Sequence, residues 1–187
     1  MATITVAELA IPDVKLITCA RFDDARGFFS ETYSVQAFAA AGLALTFVQD
    51  NHSRSSHAGT LRGLHFQSPP YAQDKLVRVT RGRIFDVAVD IRKGSPTFGR
   101  HVAAEISADA WNQILVPAGF AHGFVTLEPD TEVIYKVTAP YAPAHDHGLL
   151  WSDPALGIDW PVDQTTITLS DKDTRHPLLA DAQTLFP

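Results

Sequence analysis

Short runs rich in Val, Ile, Thr and Phe, alternating with polar residues and ended by Gly, Pro or Asp, recur roughly every ten to fifteen residues between positions 14 and 138. A period of two marks a strand with one buried face, and turns this tight leave no room for the helical crossovers that parallel strands require. Strands are expected at 14–18, 28–33, 47–51, 60–66, 76–80, 83–90, 101–106, 113–116, 123–127 and 132–138. With tight turns at Arg81-Gly82 and Pro117-Ala118-Gly119, this is the rhythm of an all-β antiparallel sandwich or barrel. One helix interrupts it over 35–41, with Ser34 as N-cap and Gly42 as its stop, and a second short helix is expected over 178–184.

The 187 residues suit a single domain, and 45% hydrophobic with 19% charged residues exclude a disordered or coiled-coil chain. A net charge of −6, with neither sign forming a run, argues against nucleic acid and anionic membranes as partners while leaving room for a local basic pocket. Cys19 is the lone cysteine, so no intrachain disulfide is available and a reducing cytoplasm is the expected compartment. Positions 1–16 lack the basic start of a signal peptide, and no stretch approaches the ~20 apolar residues of a membrane span.

Polar residues stand out inside otherwise core-like runs. In Leu61-Arg-Gly-Leu-His-Phe-Gln67, strict alternation puts His65 on one face with Gly63 and Gln67, and Arg62 on the other. A strand histidine is commonly structural, but the missing side chain at Gly63 is expected to leave room for a ligand beside it. Lys75 reads either as a solvated edge charge or as a cation on the face of Val77 and Val79. Asp86, within the apolar run 83–90, must be paired with Lys75, Arg78 or a histidine, because an unpartnered buried carboxylate is costly. His122 follows the Pro117 turn. Tyr135 shares the interior face of Val133 and Val137, where it is either a hydrogen-bonded structural phenol or a proton donor.

Two histidines on separate strands invite a cupin metal reading. However, Gln67 stands where the cupin motif has its second histidine, and positions 68–73 hold no carboxylate next to the motif, so the three-ligand set is not assembled and no metal is expected. Gly-x-Ser-x-Gly, Gly-x-Gly-x-x-Gly and Walker patterns are absent from the sequence, which gives no support to a serine nucleophile or a phosphate loop.

In order and spacing, Asp24-Ala-Arg-Gly-Phe-Phe-Ser-Glu31, Phe47-Val-Gln-Asp-Asn-His-Ser53, the 61–67 stretch, Lys75-Leu-Val-Arg-Val79, the runs 83–92 and 117–124, Tyr135-Lys136, Gly157-Ile-Asp-Trp-Pro161 and Leu169-Ser-Asp-Lys-Asp173 resemble the dTDP-4-dehydrorhamnose 3,5-epimerase family. The likeness runs from about 23 to 173 and implies a cupin-type double-stranded β-helix, a jelly-roll barrel with a few short helices. It also implies a homodimer: positions 1–50 would hold the strands exchanged between subunits, 51–150 the core barrel and 151–187 a C-terminal segment. The implied reaction inverts C3 and C5 of dTDP-4-dehydro-6-deoxy-D-glucose, giving dTDP-4-dehydro-L-rhamnose, by removing and returning protons next to the C4 ketone without a cofactor.

The resemblance assigns His65 as base, Asp173 as its orienting carboxylate with Asp171 as the alternative, Tyr135 as proton donor on the far face and Lys75 as enolate stabiliser. Arg26 and Arg62 resemble the family's diphosphate ligands, and Phe29, Glu31, Gln49 and Asn51 its nucleotide contacts. By the same resemblance, His122, Asp86 and Tyr141 are expected to shape the sugar pocket. Asp146 stands where the family usually has Glu, which puts that contact in question. Because alternation separates Arg62 from His65, a strand end or a neighbouring subunit is expected to reconcile them. A single-position epimerase of another dTDP-4-keto-6-deoxy sugar would keep the same His and Tyr. A metal-dependent cupin oxygenase or isomerase is disfavoured by the missing ligands.

Overall fold

The computed structural model describes residues 4–187, and positions 1–3 of the segment read above as no signal peptide lie outside the described residues. The strands are β1 (Ile4–Glu8), β2 (Lys15–Cys19), β3 (Phe22–Asp24), β4 (Gly27–Phe29), β5 (Gln49–Ser55), β6 (Leu61–Gln67), β7 (Lys75–Arg81), β8 (Arg83–Asp90), β9 (His101–Ser107), β10 (Asn112–Val116), β11 (Phe120–Thr126), β12 (Thr131–Val137) and β13 (Asp146–Gly148), with one helix, α1 (Val35–Ala40). They form one sheet in the order β1-β2-β10-β7-β12-β5, a second in the order β13-β6-β11-β8-β9, and a separate β3-β4 hairpin. These are the antiparallel sheets that the alternating runs predict, arranged as the jelly roll that the family resemblance implies.

Alternation distributes the apolar residues among three layers. Val77, Val79, Ile114, Val116 and Val133 of the first sheet meet Ile84, Ala88, Val102, Ile106, Phe120 and Phe124 of the second between the sheets. The opposite face of the second sheet, carrying Leu61, Leu64, Phe66, Val87 and Val89, is covered by Leu149, Leu156 and Trp160 from the C-terminal segment. The opposite face of the first sheet buries Ile17, Leu76 and Leu115 against Phe38 of α1. Burying each such side chain contributes about 1.5–3 kcal/mol, which holds a helix too short to be stable alone. Its ends match expectation: Ser34 Oγ accepts from the Ala37 amide at 3.3 Å, and Gly42 follows in the left-handed region at φ +83.

Two expected elements shrink. The strand over 28–33 ends at Phe29, because Ser30 turns its hydroxyl to the Ala20 carbonyl and accepts from the Trp111 indole. The helix over 178–184 is a single 3-10 turn, Leu179–Asp181, because the chain turns extended at Ala182 (ψ 116) and continues to Phe186, which forms a β-bridge to Arg92.

The departure that matters most is in β6. His65 stands opposite His122 and Arg62 opposite Phe124, so two residues of β6, Gly63 and Leu64, face the single Gly123 of β11. This bulge reverses the alternation: Leu61 joins Leu64 and Phe66 on the covered face, while Arg62 turns to the same side as His65. The expected separation of Arg62 from His65 is therefore corrected within one strand, without a strand end or a second subunit. Gly63 is corrected as well. A Cβ there would lie 2.5 Å from Gly123 Cα, and one on Gly123 would lie 2.8 Å from the Arg62 carbonyl oxygen, so Gly63 makes room for the neighbouring backbone rather than for a ligand.

Candidate active site

Two adjoining cavities of about 320 and 230 Å³ share three lining residues, His65, Lys75 and Tyr135. Gln49, Asn51, Gln67, Gln73, Tyr141 and Asp146 line the larger one. Ser53, Arg62, His122, Phe124, Ser170 and Asp173 line the smaller. The shared trio comes from β6, β7 and β12, so each member is fixed by a ladder rather than by a loop.

His65 Nε2 lies 2.5 Å from Oδ1 of Asp173, whose side chain is almost fully buried. Asp171 is exposed and does not reach the ring. Asp173 arrives on a 3-10 turn, where Ser170 Oγ donates to its Oδ2 at 2.9 Å. Burial alone would raise the Asp173 pKa, but His176, His65 and Ser170 around it hold the carboxyl well below the usual carboxylate range. Burial lowers the His65 pKa by more than the Asp173 carboxylate restores. Near neutral pH the pair is thus a carboxylate and a neutral imidazole whose Nε2–H donates to it, leaving the Nδ1 lone pair free. That state suits a general base.

Lys75 Nζ donates to the His65 carbonyl at 3.3 Å, and burial pushes its pKa down to about 8, with Asp146 and Asp86 acting against the fall. Burial raises the Tyr135 pKa, keeping the phenol protonated, while Arg62 pulls the other way. Asp86 finds its partner in His122, whose Nε2 lies 2.9 Å from Oδ2. Asp86 has no exposed surface, so it braces His122, and His122 lines the cavity.

Around the larger cavity, Gln49 Nε2 donates to Asn51 Oδ1 and Gln49 Oε1 accepts from the Tyr141 amide. Tyr141 and Lys172 both donate to Asp146 Oδ2. Burial would raise the Asp146 pKa, but Lys172 lowers it further. The shorter carboxylate at 146 therefore keeps two partners. Sequence reasoning missed Ser170 and Lys172, although both lie inside the Leu169–Asp173 stretch that pointed to Asp173. It also missed His176, for which no motif was at hand.

Arg26, Phe29 and Glu31 are not brought to this cavity. Arg26 lies in the β3-β4 turn, paired with Asp24 and 90% exposed, Phe29 is 69% exposed, and Glu31 is exposed. The hairpin leans on the first sheet through Phe28, whose ring meets Trp111 edge-on at 4.8 Å. Among the described residues, no helix is long and apolar enough to cross a membrane.

Residues 8–181 match the profile of the dTDP-4-dehydrorhamnose 3,5-epimerase family. A protein of that name from Sinorhizobium fredii is 54% identical over 178 residues, covering 95% of this chain and 91% of its own. The Bacillus anthracis enzyme of the same name, solved with TDP and PPi bound, superposes with a TM-score of 0.91 at 50% identity, covering 94% of this chain and 99% of its own. A dTDP-6-deoxy-D-glucose-3,5-epimerase from Legionella pneumophila, in complex with dTDP-4-keto-L-rhamnose, gives a TM-score of 0.93 at 42% identity over 98% of both chains. The chain belongs to the dTDP-4-dehydrorhamnose 3,5-epimerase family.

Proposed function

We propose that this protein inverts C3 and C5 of dTDP-4-dehydro-6-deoxy-D-glucose, giving dTDP-4-dehydro-L-rhamnose. His65 Nδ1 removes the proton next to the C4 ketone, and Asp173 stabilises the imidazolium that results. The electrons left on carbon move onto the C4 oxygen, where the Lys75 ammonium meets the developing negative charge in a site with little water. Tyr135 returns a proton from the opposite wall. Abstracting, holding and returning a proton needs a base, a cation and an acid, so no cofactor enters the route. The observation that carries this reading is that His65, Lys75 and Tyr135 all line both cavities, with Asp173 hydrogen-bonded to His65.

Arg62 takes the diphosphate with its two-pronged guanidinium, His122 on Asp86 shapes the sugar pocket, and Gln49, Asn51, Tyr141 and Asp146 line the remainder of the substrate's path. The exposure of Arg26, Phe29 and Glu31 supports a homodimer in which this segment of one protomer completes the site of its partner. The site draws on residues from 49 to 173, which supports one domain over the described chain. A lone buried Cys19 without a disulfide partner favours the cytoplasm.

Incubation with dTDP-4-keto-6-deoxyglucose in D2O, followed by NMR, tests the reaction. Deuterium at both C3 and C5 is expected. Incorporation at one carbon would replace the reading with a single-position epimerase, and incorporation at neither would reject both.

A further inference from the structure

His176 follows the 3-10 turn that carries Asp173, and its side chain is only 9% exposed. Among the described residues its Nε2 has no hydrogen-bond partner, an unusual state for a buried polar atom. That atom points toward the dyad: it lies 3.6 Å from Asp173 Oδ1, and the ring meets His65 edge-on with centroids 5.5 Å apart. Gly148 gives the ring its space, since a Cβ there would come within 2.4 Å of His176 Nε2. One ligand atom each from His65, Asp173 and His176 lie within 4.8 Å of one another.

We infer that His65, Asp173 and His176 form an inhibitory site for a divalent transition-metal ion of the zinc or cobalt type. Two imidazoles and a carboxylate are the donor set such ions prefer. Donors bound at about 2.1 Å around a tetrahedral ion are about 3.4 Å apart, close to the existing separation of His176 from Asp173. The His65–Asp173 pair opens by about 1 Å to admit the ion, and Ser170 already holds the other carboxylate oxygen from outside. This trio differs from the cupin motif positions, where Gln67 leaves the set incomplete.

The chemical consequence rests on the epimerase reading. When the ion takes Nε2 of His65, the ring proton moves from Nε2 to Nδ1. The atom that must accept the substrate proton then carries one already, so the base is blocked without any net change in its charge.

Metal-stripped protein is titrated with Co2+, followed by its visible absorption, and with Zn2+ in a calorimeter, in the absence of substrate. One ion per chain is expected, bound at least about tenfold more weakly by both His176→Ala and the polar H176Q. No binding to wild type, or equal binding by both folded variants, overturns the site. Zn2+ is then added to the exchange assay in D2O: exchange suppressed in wild type and restored by a chelator supports inhibition, and exchange unchanged at saturating Zn2+ overturns it. Because binding is read without substrate, failure of the epimerase reading leaves the first result standing.

Discussion

Arg62 and His65 present their side chains to one cavity although three positions apart on a single strand, because the extra residue in β6 reverses the alternation between them. The bulge puts the proposed diphosphate ligand and the proposed base on one rigid element, so their separation is set by backbone geometry.

Gly63→Ala attacks that element directly. A Cβ 2.5 Å from Gly123 Cα, at φ +130, combines overpacking with an unfavourable backbone conformation, and the expected loss is about 3 kcal/mol. For a chain this size that lowers Tm by roughly 10 °C. A melting curve within about a degree of wild type would show that the backbones part easily.

Replacing the base is expected to silence both carbons together. His65→Ala should reduce turnover at least about a hundredfold and abolish deuterium uptake at C3 and C5 alike. Retention of normal turnover would remove His65 from its role.

Tyr135→Phe separates the two halves of the inversion. With base and cation intact, proton loss continues at one carbon while return from the far wall fails, so NMR should record partial exchange without full epimerisation. Wild-type product yield would assign the acid elsewhere.

The pH profile follows from the opposite demands on two neighbours. His65 must be neutral, and burial lowers its pKa, so kcat/KM should fall on the acid side only below the usual imidazole value of about 6.5. Lys75 must be charged, so kcat/KM should fall again as pH rises through about 8. In Lys75→Arg the alkaline limb should disappear, since guanidinium stays charged. An alkaline limb unchanged in that variant would assign it to another group.

Away from the site, Asp90 is fully buried and accepts from Arg92, Ser95 and Thr97. Burial alone would raise its pKa, but those donors bring it down to about 2. A folded-state pKa below the unfolded value stabilises above the unfolded pKa and loses that contribution as pH falls through about 4 toward 2. Asp90→Asn should therefore cost at least about 2 kcal/mol near pH 7, with the deficit narrowing in acid. Urea midpoints at the two pH values check this.

Period-two alternation located most of the strands and put Tyr135 on the inner face with Val133, and the unfavourable burial of a lone carboxylate foretold a partner for Asp86. β1, β3 and β13 went unread because they are short or lie at edges, where pairing rather than an alternating run defines them. The bulge escaped for a related reason. Alternation assumes an unbroken ladder, and only the facing pair Gly63 and Gly123 hints that two backbones meet there. His176 was silent because its surroundings, Gly148 above all, come from a different part of the chain.

The carboxylate beside His65 comes from 108 positions further along the chain. During synthesis the barrel strands emerge from the ribosome well before that carboxylate does, so a nascent chain holds His65 without its hydrogen-bond partner. A polypeptide cut short before residue 173 would carry the barrel strands without the carboxylate that His65 meets.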